Sequence, residues 1–195
     1  MLLTGRDLDI FQQCRLRWLK THEEQAEDTD SAYIRALKKT ITQMYTWAMV
    51  NSRENASFNK TMTLRTLRGK WDKNWYTWAV NNNYAKHKEI LDLTLKGWLT
   101  LSKYWANIYQ EQTDLPLITP FCGTTTINQV PFRIATDLVL INQNKKVVLT
   151  EFGTKHTSWY LYNALSTKLE IVAVEQMLEA PSVKYFVDLE PTGKN

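Results

Sequence analysis

The stretch Phe132-Arg133-Ile134-Ala135-Thr136-Asp137-Leu138-Val139-Leu140-Ile141-Asn142-Gln143-Asn144-Lys145-Lys146-Val147-Val148-Leu149-Thr150-Glu151-Phe152 decides how the rest of the chain is read. Phe132 to Ile141 and Val147 to Phe152 have the β-branched and aromatic composition of strands, and Asn142 to Lys146 between them has turn chemistry. The spacing predicts an antiparallel hairpin. If it is symmetric about Asn144, Asp137 lies across from Glu151 on the same face, roughly 5 Å apart at Cβ. Two carboxylates so placed repel unless a cation sits between them, and a hard ion such as Mg²⁺ meets that need with carboxylate, water and phosphate oxygens. The ordinary alternative is a pair of acids on a solvent-facing strand. Against it, the strands are apolar on both faces: Ile134, Leu138, Leu140, Val148 and Phe152 on one, Val139, Ile141, Val147 and Leu149 on the other. A sheet covered on both sides leaves little room for an incidental acid.

Outward from the hairpin, the first 110 residues carry helical periodicity. Thr4 and Asp7 are spaced as a capping box before Leu8, Phe11, Leu16 and Leu19. Ile34, Leu37, Ile41, Tyr45 and Met49 recur at three- and four-residue intervals, and Asn51 to Asn59 is a polar loop. Thr63 caps a third helix to about Asn81, and a fourth runs from about Tyr84 to Gln110. Leu115 to Thr119 and Thr124 to Ile127 turn to β-type composition ahead of the hairpin, a helix spans about Ser158 to Glu179, and Val183 to Val187 is a last buried strand. The expected architecture is α+β (mixed α/β) in one domain over 1–195: an N-terminal helix over 1–29, a helical insertion over 30–112 and a sheet core over 113–195.

Composition narrows the function classes. The 195 residues carry a formal charge of +4, eight tryptophans, nine tyrosines and six glycines. No run approaches the roughly 18–20 apolar residues of a membrane helix, and Met1 to Asp7 lacks a signal-peptide core, so a cytoplasmic location in a bacterial or virus-infected cell is the expectation. Cys14 and Cys122 are the only cysteines, too few for a disulfide framework or an iron–sulfur cluster. No phosphate-binding loop, dinucleotide fingerprint or hydrolase nucleophile elbow is present. His22, His87 and His156 are scattered without metal-ligand spacing.

Charge is concentrated between residues 53 and 73. Arg53, Lys60, Arg65, Arg68, Lys70 and Lys73 stand against Glu54 and Asp72, which suits either a solvated helix face or a polyanionic partner. Trp71, Trp75 and Trp78 form a stripe among them at i, i+4 and i+7. Helical spacing favours a core face; a base-stacking platform flanked by Arg65, Arg68, Lys70 and Lys73, or an exposed protein-binding face, are the alternatives.

A strand ending in Asp, a tight turn and a strand carrying Glu-x-Lys resembles the core of the PD-(D/E)xK nucleases. Leu3-Thr4 followed by Phe11-Gln12-Gln13-Cys14-Arg15-Leu16-Arg17-Trp18 resembles the opening helix of the RecB-type branch, as do the helical insertion and the helix after the hairpin. The resemblance implies a restriction-endonuclease-like core, with Mg²⁺ or Mn²⁺ held by Asp137, Glu151 and the Phe152 carbonyl. It also implies that the helix after the hairpin supplies a polar residue to the site. The sequence departs from the family where Gly153 replaces the lysine of Glu-x-Lys, which would orient water and stabilise phosphate charge. Lys168 on the following helix is the expected replacement and Lys155 a weaker one, each also readable as a surface lysine. Residues 35–40 offer no counterpart to the family's early histidine. Three functions follow: a metal-dependent nuclease acting on DNA through Asp137, Glu151 and Lys168; a catalytically degenerate member serving as a DNA- or protein-binding subunit or inhibitor in a nucleic-acid machine; or a protein-binding component using the tryptophan-rich helices.

Overall fold

A computed structural model describes residues 3–4, 32–52, 62–127, 129–153 and 165–189. The N-terminal helical motif around Phe11 to Trp18, the charges Arg53 and Lys60, and Lys155 and His156 lie outside the described residues. Leu3–Thr4 is a two-residue strand, β1.

The hairpin forms in the expected register. β5 (Leu138–Ile141) pairs antiparallel with β6 (Val147–Gly153), matching Leu138 with Thr150 and Ile141 with Val147, a register centred on Asn144. The turn is held by Asn142, whose Oδ1 accepts from the N–H groups of Asn144 at 3.0 Å and Lys146 at 2.9 Å. Lys145 takes a positive φ of 59° to close it, a conformation that this Asn-anchored turn over-determines. β2 (Leu115–Ile118) flanks β5 antiparallel, and β7 (Ser182–Asp188) flanks β6 in parallel, giving the order β2-β5-β6-β7. The crossover from β6 to β7 contains helix α5 (Leu165–Leu178).

The expected single strand over Phe132 to Ile141 is two strands. β4 (Val130–Thr136) bends away at Asp137 and joins β3 (Phe121–Ile127) and β1 in a second sheet of order β1-β4-β3. The bend resets the face alternation. Leu138, Leu140, Val148 and Phe152 face one core as expected, but Ile134 packs with Val139, Val147 and Leu149 in the other. Strand parity carries across an unbroken strand only.

The two faces of the four-stranded sheet bury different layers. On one, α5 and the β3–β4 ribbon enclose Phe121, Phe132, Ile134, Ala173 and Val174. On the other lie α1 (Ala32–Ser52), α2 (Leu64–Trp71), α3 (Trp78–Asn81) and α4 (His87–Tyr104). Thr63 caps α2 as expected, its Oγ1 accepting from the Thr66 N–H at 3.2 Å. α2 and α3 are joined without a break by a π-helical segment over Asp72–Thr77. The wider winding brings residues i and i+4 closer to alignment than the α-helical 3.6 per turn does. Trp71 and Trp75 accordingly stack 6.2 Å apart with their planes 14° from parallel, both fully buried, and Tyr33 meets each edge-on. The Trp71 indole N–H donates to the Thr94 carbonyl at 3.0 Å.

Gly97 on α4 is what lets that indole in: a Cβ there would lie 2.2 Å from the Trp71 ring. Gly69, on the exposed side of α2, has nothing within 4 Å of the same position. Gly97→Ala is therefore expected to destabilise by about 1–3 kcal/mol through overpacking against a rigid ring. Gly69→Ala is expected to stabilise by about 0.5–1 kcal/mol through helix propensity. Urea unfolding of the two variants beside the wild type checks both signs.

Candidate functional site

The end of the hairpin is where the sheet stops being purely hydrophobic. Beyond the Leu138–Thr150 pair, β4 has left for the second sheet, so β6 would lose its ladder partner. The Asp137 carboxylate takes over that role: its Oδ2 accepts from the Phe152 N–H at 2.8 Å, a charge-assisted bond stronger than the backbone rung it replaces. Thr119 Oγ1 donates to the Asp137 carbonyl at 3.0 Å and Thr136 Oγ1 to the Thr150 carbonyl at 3.1 Å, fastening the bend from both sides. From α1, Lys38 Nζ stands 3.7 Å from Asp137 Oδ2.

Glu151 directly follows Thr150, the last residue of β6 paired with β5, and is 35% exposed at its side chain. Beside it on β7 is a lysine. Lys184 pairs in register with Leu149, which turns its side chain to the α5 face of the sheet, and its side chain is only 3% exposed. Its Nζ lies 2.7 Å from Glu151 Oε2 and hydrogen-bonds Glu170 Oε2, a carboxylate 13% exposed that α5 presents to it. Burial alone would lower the affinity of the Lys184 amine for its proton, but Glu170 and Glu151 outweigh burial and raise its pKa above the usual 10.5. Lys184 is a fixed cation at neutral pH.

The sequence-expected residues are thus brought together unevenly. Asp137, Glu151 and Phe152 meet at the bend. Lys168 is exposed on the stripe of α5 that also carries Val172 and Gln176, while Glu170, about 200° around the helix, faces the site. The lysine beside Glu151 is Lys184, and Gly153, which ends β6, is held by the Leu189 N–H at 2.7 Å from its carbonyl. The sequence does carry a signal for Lys184, the one charge between Val183 and Val187, since a lysine is almost never fully buried unless paired. Its partner on α5 is what the sequence leaves unnamed.

The basic segment is dispersed. Arg65 and Lys73 are exposed. Arg68 Nε lies 2.9 Å from Asp72 Oδ1 with the guanidinium 5.2 Å from the Trp98 ring centroid, and Lys70 Nζ is 5.9 Å from that of Trp47. Trp71 and Trp75 belong to the core, as helical spacing favoured, and Trp78 is part-exposed.

Among the described residues no three His, Cys, Asp or Glu side chains gather as a metal cluster. A cation here would rest on Asp137, Glu151 and backbone oxygen. That set fits Mg²⁺, which keeps several waters and takes one or two carboxylates. No helix among the described residues is long and apolar enough to cross a membrane. No family model matches the chain, and no curated protein matches it.

Because Lys184 neutralises two carboxylates, Lys184→Met is expected to cost about 3 kcal/mol by leaving them uncompensated. Adding Glu170→Leu should recover much of the loss. A cation whose folded pKa is raised contributes stability below its unfolded pKa and loses it as pH rises through the folded value. The difference in unfolding free energy between wild type and Lys184→Met should therefore stay level through neutral pH and shrink above 10.5. Urea titrations at stepped pH measure it.

Proposed function

We propose that this chain is a metal-dependent nuclease of the PD-(D/E)xK type acting on DNA. The observation that carries the reading is the lysine at the acidic hairpin, Lys184 Nζ 2.7 Å from Glu151 Oε2, on a residue type missing at Gly153. Two further features support it: Asp137 and Glu151 meet at one end of the hairpin register, and the helix after the hairpin supplies a polar residue, Glu170, to the same cluster.

Asp137, Glu151 and the Phe152 carbonyl would hold Mg²⁺ or Mn²⁺. Bound there, the ion would lower the pKa of a water for attack and neutralise charge on the phosphate. The protein's own groups do the rest. The Phe152 N–H fixes the orientation of the Asp137 carboxylate. Lys184, kept protonated by Glu170 and Glu151, is suited to steady negative charge growing on a phosphate oxygen rather than to remove a proton from water. Lys38 adds a second cation at the Asp137 side, where the scissile phosphate would be drawn in.

One observation favours a second reading, a catalytically silent nuclease-fold subunit that binds DNA or protein. Lys184 already has two carboxylate partners, so the triad is electrostatically complete as a structural device.

Cleavage assays on single- and double-stranded DNA decide between them. With Mg²⁺ or Mn²⁺ the wild type should cut. Asp137→Asn, Glu151→Gln and Lys184→Met should each lower the rate by about 10²–10³-fold, the usual effect of removing one electrostatic contact to the transition state, at temperatures where circular dichroism shows the variants folded. Lys168→Ala should retain full activity. Intact DNA of both kinds with either ion would sink the nuclease reading and leave the second.

A further inference from the structure

We infer that the cleft between α1 and α2 holds one base of a single-stranded nucleic acid, stacked on Trp47, with Lys70 at its phosphate. This deepens the proposed function and, as the place where substrate is gripped, rests on it.

Trp47 was not singled out by the sequence pattern, because it stands outside the stripe formed by Trp71, Trp75 and Trp78. Trp47 is 43% exposed, and Val50 one turn later is 61% exposed. Together with Gln43, Thr46 and Lys70 they line a cavity of about 290 Å³. Gln43, one wall of it, is held in place, its Oε1 accepting from Asn74 Nδ2 at 3.0 Å while the same amide donates to Thr40 Oγ1. Lys70 Nζ is 5.9 Å from the Trp47 ring centroid, the outer limit of a cation–π contact. Lying over the ring at that distance, the ammonium is near enough to meet a phosphate attached to a base stacked on Trp47.

Charge selects the occupant. α1 carries Arg35, Lys38 and Lys39, and α2 carries Arg65, Arg68 and Lys70, and neither helix contains an aspartate or glutamate. Asp72, which follows α2, pairs with Arg68, and Lys38 pairs with Asp137, so these two pairs add no net charge. An aromatic face between two acid-free basic helices fits a polyanion whose repeating unit has a π face, which is the description of single-stranded nucleic acid. A duplex does not fit, because its base faces are covered by their neighbours. The cleft also connects to the acidic hairpin through one rigid element. Lys38 touches Asp137, and Trp47 is nine residues further along the same helix, about 13 Å along its axis and about 180° around it.

The test is fluorescence anisotropy of a dye-labelled oligothymidylate with the full chain in EDTA, so that binding is read without cleavage. The wild type should bind. Trp47→Ala should weaken binding about tenfold or more, and Trp47→Phe, which keeps a ring to stack on, should stay within about threefold. Lys70→Gln should lower the slope of log affinity against log salt by about one. Trp78→Ala, at the other tryptophan more than a third exposed among the described residues, should bind as the wild type does. The inference is overturned if the oligonucleotide does not bind, if Trp47→Ala binds unchanged, or if a duplex binds equally well with the same dependence on Trp47. Cleavage with Mg²⁺ combined with binding indifferent to Trp47 rejects the stacking site and keeps the nuclease reading. Trp47-dependent binding without cleavage does the reverse.

Discussion

A lysine ammonium enclosed between a sheet and a helix is the constraint on which the sheet core depends. Lys184 cannot be buried as a cation without carboxylates, and the fold brings it two, from different elements. Glu151 reaches it from the neighbouring strand and Glu170 from α5, so one charge ties the crossover helix to the last two strands of the sheet. Around that point the packing is apolar: Val147, Leu149, Ala173 and Val174 are buried on the same face. Hydrophobic contact of this kind is non-directional and would allow α5 to slide or rotate. The ion triad is directional. It selects one rotation of α5, the one that turns Glu170 inward and leaves Lys168 exposed.

Asp137 imposes the second constraint. A strand that must pass from one sheet to another has to surrender ladder hydrogen bonds where it turns, and an unpaired N–H at the sheet's end is costly. Here the carboxylate of the turning residue accepts from the Phe152 N–H, so the bend and the site residue are one feature. Asp137 therefore has a structural reason to be present whatever the chemistry. Glu151 takes no part in the bend, and its structural role is to pair with the buried Lys184.

The legible part of this architecture was local. The turn at Asn144, the cap at Thr63, the helical runs and the register that opposes residue 137 to residue 151 all follow from neighbours in sequence. Two things were not legible, for one physical reason. The break at Asp137 depends on β4 finding partners in β1 and β3, and the lysine at the site depends on how α5 docks; both are decided by contacts distant along the chain. Ile134 changed face with the break. Lys168, the expected replacement for the missing lysine, lies on α5 two residues from Glu170, the position that faces inward, and the buried cation of the cluster, Lys184, is on β7. Trp47 was hidden for the opposite reason: periodicity reports which residues can be buried together, and Trp47 is notable because it is not.

The formal charge of the cluster bears on why an ion would matter to it. Asp137, Glu151 and Glu170 contribute three negative charges, and Lys38 and Lys184 two positive ones. Among the described residues the cluster sums to one negative charge, which gives it no electrostatic reason to attract a phosphate. Under the nuclease reading, a divalent ion would reverse its sign and make it a receptor for the polyanion that α1 and α2 would attract. Both lysines are then required as they stand: without them a single divalent ion would leave the three carboxylates still net negative. Under the nuclease reading, substrate affinity along α1 is independent of metal while engagement at Asp137 and Glu151 depends on it. Gripping and cutting are in that sense separable along one helix.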